Sequence, residues 1–152
     1  MNLEELIKKR SSKKIGIIKV LGNYKNKKII QVDKKINNSV LTDNYVYVMD
    51  IERIETDHFI NYCNKRLLTV NKNLEKALRE LKELFDYYKE KYGSRAYGIN
   101  EDDIYSLLKD KDTRLGRNIT GASQEYGINE VWCSIDVDCC SNGYLCSYSF
   151  CN

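Results

Sequence analysis

Few side chains in this sequence have types and spacings that could do chemistry. Asp33-Lys34-Lys35 closes the apolar run KIIQVDK. It reproduces the D-x-K element with which Mg²⁺-dependent nucleases hold the metal and place a lysine near the nucleophile. Asp50, at the end of YVYVMD, is placed to be the second carboxylate. His58 and Cys63 pair a base with a thiol, but at i,i+5 on a helix they point roughly 140° apart. Cys63 is therefore expected inside, as a small apolar residue. No Gly-rich phosphate loop, G-x-S-x-G, H-E-x-x-H or dinucleotide fingerprint occurs. The expectation is a protein that is not an enzyme and uses no cofactor and no metal.

The charge pattern points to binding instead. The formal net charge of the 152 residues is +3, yet residues 1–35 carry +8 and residues 118–152 carry −4 with no Lys or Arg. A basic head of this kind suits an acidic partner, nucleic acid or a ribonucleoprotein. The contact residues expected are Lys13, Lys14, Lys19, Lys25, Lys27 and Lys28, with Tyr24, Tyr45 and Tyr47 available to stack on bases. The competing explanation is a Lys-rich solvated hairpin that serves solubility, since Arg is the residue that specific phosphate and base contacts favour.

Five of the six cysteines lie in the run CSIDVDCCSNGYLCSYSFC, Cys133 to Cys151. This run resembles the later part of an inhibitor-cystine-knot (knottin) peptide, in which an adjacent Cys pair follows an Asp-rich loop. The resemblance covers about an eighth of the chain and lacks the first Cys of that family. It implies pairing of Cys133 with Cys146 and of Cys139 with Cys151, leaving Cys140 over. Zinc is disfavoured because the run offers a single C-x4-C pair, Cys146 and Cys151, and the one His of the sequence, His58, is far away in it. Two further readings stay open. In one, the tail is excised and crosslinked as a peptide, with Ser134, Ser141, Ser147 and Ser149 modified. In the other it is a reduced, aromatic-rich strand pair. Trp132, Tyr144, Tyr148 and Phe150 are the residues through which the tail would contact a protein partner.

Positioning these groups requires a scaffold. Ile15–Leu21 and Lys28–Lys34 read as a hairpin about a turn at residues 22–27, and Tyr45–Ile51 as a third strand, with the sheet buried on one side. Thr56-Asp57 starts a predicted helix carrying Phe59, Ile60, Cys63 and Leu67. A longer helix follows, capped by Asn71 or Asn73 and ended by Gly93. Its stripe is Leu74, Ala77, Leu78, Leu81, Leu84, Phe85, Tyr88 and Tyr92. Asn100 caps a third helix. A short helix is also predicted after Asn2. The pentapeptide YGINE occurs at Tyr97–Glu101 and again at Tyr126–Glu130, and reads as a reused helix entry.

The fold expected is α+β: a small antiparallel sheet of about three strands, then amphipathic helices and a Cys-rich C-terminal extension. The domain division is 1–117 for the α+β part and 118–152 for an extension packed on it. With 42% hydrophobic and 31% charged residues the chain is neither disordered nor a membrane protein. No conventional signal peptide or apolar span is present, so a cytoplasmic location is expected. The leading function is non-enzymatic nucleic-acid or ribonucleoprotein binding through the basic head. The alternatives are a protein-interaction or inhibitory module acting through the tail, a peptide precursor, and a Mg²⁺ nuclease.

Overall fold

The computed structural model describes residues 16–51, 54–55, 60–61, 64–110, 118–126 and 129–151. β1 (Ile17–Tyr24) and β2 (Lys27–Val32) form an antiparallel hairpin about Lys25-Asn26. The turn is thus shorter than the sequence suggested, and Lys25 accepts a φ of 51° to make it. β3 (Tyr45–Asp50) lies beside β2 but runs parallel to it. The reason is the length of the connection. Residues 33–44 are too many for a hairpin and sufficient for a crossover, which passes over one face of the sheet.

The expectation of a three-stranded sheet is corrected. β6 (Lys65–Asn71), β7 (Asn118–Tyr126), β8 (Asn129–Cys140) and β9 (Gly143–Phe150) join the first three strands in one mixed seven-stranded sheet. Its order is β1-β2-β3-β6-β9-β8-β7. β4 (Ile54–Glu55) and β5 (Ile60–Asn61) form a separate two-stranded pair. Two α-helices are present among the described residues, α1 (Leu74–Tyr92) and α2 (Glu101–Asp110), besides a single 3-10 turn at Asn38–Val40. The helix expected from Thr56 is replaced where it is described: Ile60 lies in β5 and Leu67 in β6. KRLLTV is a strand because both of its faces find cores, which a period-of-3.6 reading cannot anticipate. The helix expected after Asn2 lies outside the described residues.

Both faces of the sheet are covered, not one. On the first face α1 lays Ala77, Leu78, Leu81, Leu84 and Phe85 against Val46, Val48, Leu67, Ile135, Tyr148 and Phe150. Phe85 sits 4.8 Å from the Tyr148 ring and 5.0 Å from Phe150. Asn73 caps α1 by accepting from the Lys76 N–H at 3.0 Å, and Gly93 ends it at φ 74°. Asn100 and Asp103 cap α2 reciprocally, each side chain accepting from the other's backbone N–H. On the second face the crossover presses Ile36 and Leu41 onto Ile17, Ile30, Val32, Tyr47, Met49, Leu68 and Val70. Asn142, in the β8–β9 turn, secures that crossover by donating to the carbonyls of Ser39 (3.1 Å) and Leu41 (2.7 Å).

The C-terminal segment is therefore part of the sheet. β9 is flanked by β6 and β8, and its register runs from Lys65↔Phe150 to Asn71↔Tyr144 on one side. The two YGINE copies diverge in structure. The first enters α2, whereas the second links β7 to β8 with Tyr126 paired to Asn129. The same five residues serve either end because partners, not local preference, decide between helix and strand.

Candidate functional site

β1 is an edge strand, and the basic hairpin it forms with β2 leans its turn against α1. Lys25 donates to Glu83 Oε2 at 2.7 Å, and Lys27 reaches Glu80 Oε2 at 2.7 Å. Tyr24 donates its hydroxyl to the same Glu83 oxygen at 3.2 Å. The Lys25 hydrogen bond is the main reason that the Glu83 carboxyl is held below its ordinary range. Lys27 and Glu80 are mostly covered, with side chains 24% and 20% exposed. Lys27 therefore fastens hairpin to helix, and Lys25, 61% exposed in its side chain, adds a surface pair at the turn. Lys19 and Lys28 are exposed and have no carboxylate partner among the described residues. Lys19 pairs in register with Gln31 on the helix side of the edge, and Lys28 with Tyr45 on the other side. Lys13 and Lys14 lie outside the described residues.

The tyrosines expected to stack on bases are not the exposed ones. Tyr24 and Tyr47 are 4% and 1% exposed, and Tyr45 is half-buried. Tyr47 is held by Thr42, accepting from its N–H at 3.0 Å. The accessible rings are instead at the end of α1. Tyr92, expected to point inward with the stripe, is 49% exposed, and Tyr87 is half-buried. Tyr87 donates to the Asn23 carbonyl of β1 at 3.2 Å. The Lys91 amine lies 5.7 Å from the centre of the Tyr87 ring and 5.3 Å from that of Tyr92. It also donates to the Tyr87 hydroxyl at 3.4 Å. Tyr88 lies beneath, its ring 4.8 Å from Tyr92, and burial pushes its hydroxyl up to about 12. Sequence reasoning missed this cluster. Tyr92 belongs to the stripe. Tyr87, five residues earlier, points roughly 140° away from it and packs edge-on against Tyr24. Lys91 lies between the two rings.

A second group forms where β2 and β3 end side by side. Asp33 and Asp50 line one cleft of about 260 Å³ with Ile18, Val32, Lys34 and Ile51. The parallel register, Val32 opposite Met49, brings the two acids to the same end of the sheet. Asp50 is already engaged by the Lys65 amine and by Gln31, which donates to it at 3.0 Å. Asp33 accepts from the Lys35 N–H at 2.9 Å. Among the described residues no group of three or more His, Cys, Asp or Glu side chains is arranged to hold a metal. His58 and Cys63 lie outside the described residues.

The tail residues are largely interior. Tyr148 and Phe150 are 1% and 0% exposed, and Tyr144 is half-buried against the first core. The side chain of Trp132 lies outside what is described. Cys133, Cys139, Cys140 and Cys146 are free thiols. The register explains why. Cys133 stands opposite Phe150 and Cys146 opposite Val137, so Cys133 and Cys146 are four residues apart along the ladder, roughly 13 Å. A disulfide needs Cα atoms within about 7 Å. The pairing implied by the knottin resemblance does not fit this sheet. Burial raises the thiol pKa of both Cys133 and Cys146.

On the opposite face of the same strands lies a polar group that sequence reasoning did not assemble. Ser134, Ser147 and Ser149 are buried, and Arg66 donates through Nε to Ser149 Oγ at 3.0 Å. Asp136, across from Ser147, has its carboxyl pKa raised by burial, an effect that Arg66 opposes and Asp138 reinforces. This network satisfies buried hydroxyls within the sheet. Compared with protein-family models, curated proteins and solved structures, the chain matches none of them.

Proposed function

We propose that this protein binds nucleic acid, alone or within a ribonucleoprotein, through the edge of its basic hairpin, without catalysing a reaction. The observation that carries the reading is that Lys19 and Lys28 stand exposed, with no carboxylate partner among the described residues, on a hairpin belonging to the +8 segment. Lys25 and Lys27 belong to the scaffold, since Glu83 and Glu80 hold them. The basic partners for phosphate are thus Lys19 and Lys28, with Lys13 and Lys14 completing the set named from the sequence.

Titration of labelled RNA and DNA against salt tests this. Affinity falls as salt rises, with a slope of about 0.7–0.9 per phosphate neutralised. Replacing Lys19 and Lys28 by Gln lowers that slope. Absence of binding at low salt, or binding indifferent to salt, overturns the reading.

A second reading draws on the meeting of Asp33 and Asp50 at one cleft, which suits a Mg²⁺-dependent nuclease. Its weakness is chemical, because Asp50 is committed to Lys65 and Gln31. Any cleavage activity that survives Asp33→Ala removes it.

A further inference from the structure

We propose that Asn142-Gly143, at the β8–β9 turn, is a self-modifying site. Asn142 deamidates there with water as the only reagent, and the change releases the β2–β3 crossover from the second face of the sheet. Asn-Gly occurs once in the 152 residues, and the fold itself calls for the pair. Cys140 pairs with Gly143, which leaves Ser141-Asn142 as a tight hairpin loop. Gly143 holds φ 126°, and a Cβ there would lie 2.5 Å from the Asn71 carbonyl oxygen, so the position must lack a side chain. The crossover calls for Asn142. Its one amide nitrogen, with two N–H donors, serves the carbonyls of Ser39 at 3.1 Å and Leu41 at 2.7 Å. The two demands place a side-chain amide next to a backbone nitrogen that no Cβ crowds.

In the reaction the Gly143 nitrogen attacks Asn142 Cγ. The new N–Cγ bond closes a succinimide ring, the Cγ–Nδ2 bond breaks, and ammonia leaves with the proton from the Gly143 nitrogen. Asn142 and Gly143 are half-buried, so water reaches the ring, adds to one of its carbonyls and breaks the N–C bond there. Opening at Cγ gives an aspartate. Opening at the main-chain carbonyl gives an isoaspartate, with an extra methylene in the backbone. No oxidant or reductant takes part, and the loss of ammonia makes the change one-way. Either product sets a carboxylate against the two carbonyl oxygens that the amide served, so both hydrogen bonds become like-signed contacts. The crossover holds Ile36 and Leu41 on the second core, and this tether to β8–β9 is lost. The clamp also guards the site. While Nδ2 donates to the crossover, the side chain is not free to turn onto the Gly143 nitrogen, and reaction requires a local opening.

The test uses the full chain held in mildly alkaline buffer, native and in urea, with peptide mapping by mass spectrometry at intervals. Asn142 is expected to gain about 1 Da, the change from amide to acid, with aspartate and isoaspartate separated by chromatography. Asn26, exposed in the β1–β2 turn and followed by Lys27, stays an amide over the same period. Conversion of the native protein is expected to be about 5- to 150-fold slower than in urea, the protection that two ordinary hydrogen bonds give. Asn142→Asp, which carries the product from the start, speeds hydrogen exchange in the crossover segment 36–41. The native and urea rates are measured on the parent chain, so they decide the matter even if that variant fails to fold. No conversion at Asn142 in the native protein, or Asn26 converting as fast, overturns the site. Equal rates in the two conditions overturn the guarding clamp, and unchanged exchange in Asn142→Asp overturns release of the crossover.

Discussion

Replacing Lys27 by Met separates the lysines that hold this fold together from those proposed to contact nucleic acid. The variant keeps the aliphatic stem and removes the amine. Its partner, Glu80, is 20% exposed in the side chain, and its second oxygen, Oε1, is buried without a hydrogen bond. Loss of the amine therefore leaves a carboxylate with neither oxygen satisfied by protein. Exposed ion pairs are worth about 0.2–1 kcal/mol, whereas breaking a fully buried pair costs about 3–5 kcal/mol. This pair lies between those limits, so Lys27→Met is expected to cost about 1.5–2 kcal/mol. For a chain of this size that lowers Tm by roughly 3–8 °C. Urea unfolding of Lys27→Met, Glu80→Gln and the double variant gives the coupling directly, with about 1 kcal/mol expected. The salt slope for nucleic-acid binding stays at the parental value in Lys27→Met and falls by about 0.7–0.9 in Lys19→Met. A coupling under about 0.3 kcal/mol, or a slope reduced equally by both variants, refutes the assignment of Lys27 to the scaffold.

Gly143 adopts φ 126°, and a Cβ there would lie 2.5 Å from the Asn71 carbonyl oxygen; Gly143→Ala is expected to lose about 2–4 kcal/mol in chemical denaturation, and a loss under about 1 kcal/mol counts against this β6–β9 junction. Asp136 has a raised folded pKa, so it favours the folded state most at low pH, and that contribution is lost as pH rises through the folded value. Asp136→Asn is accordingly expected to be relatively more stable at neutral pH than at pH about 3, below the ordinary carboxylate range; a stability difference independent of pH contradicts it. A brief iodoacetamide pulse on native protein should label exposed Cys139 well before buried Cys133 and Cys146, and mass spectrometry showing equal labelling of the three would argue against β8 and β9 as interior strands.

Much of the helical part is legible in the sequence. The stripe from Leu74 to Tyr88, the Asn73 cap, Gly93 as terminator and the Asn100 start of α2 all follow from local rules, because caps and amphipathic faces are set within a few residues. The strands at 17–24, 27–32 and 45–50 are visible in their β-branched runs. Lys65–Asn71 is not: Leu67, together with Phe59, Ile60 and Cys63, matches helical spacing, and only a two-faced core makes the segment a strand. Tyr148 and Phe150 resemble a contact surface in the sequence because aromatic residues near a polar, acidic stretch look exposed until a neighbour covers them. Phe85 is that neighbour.

Composition and order by themselves determined the charge polarity, the amphipathic helices and the alternation of Cys133, Ile135 and Val137 with polar residues. These depend on residues close in sequence. Tertiary structure alone decided that β3 runs parallel to β2 and that β9 inserts between β6 and β8. It also decided which lysines have a carboxylate opposite them. Lys25 and Lys27 look like Lys19 and Lys28 in the sequence. They differ because Glu80 and Glu83, more than fifty residues away, stand opposite two of the four, and a charge is neutralised by what is near it in space.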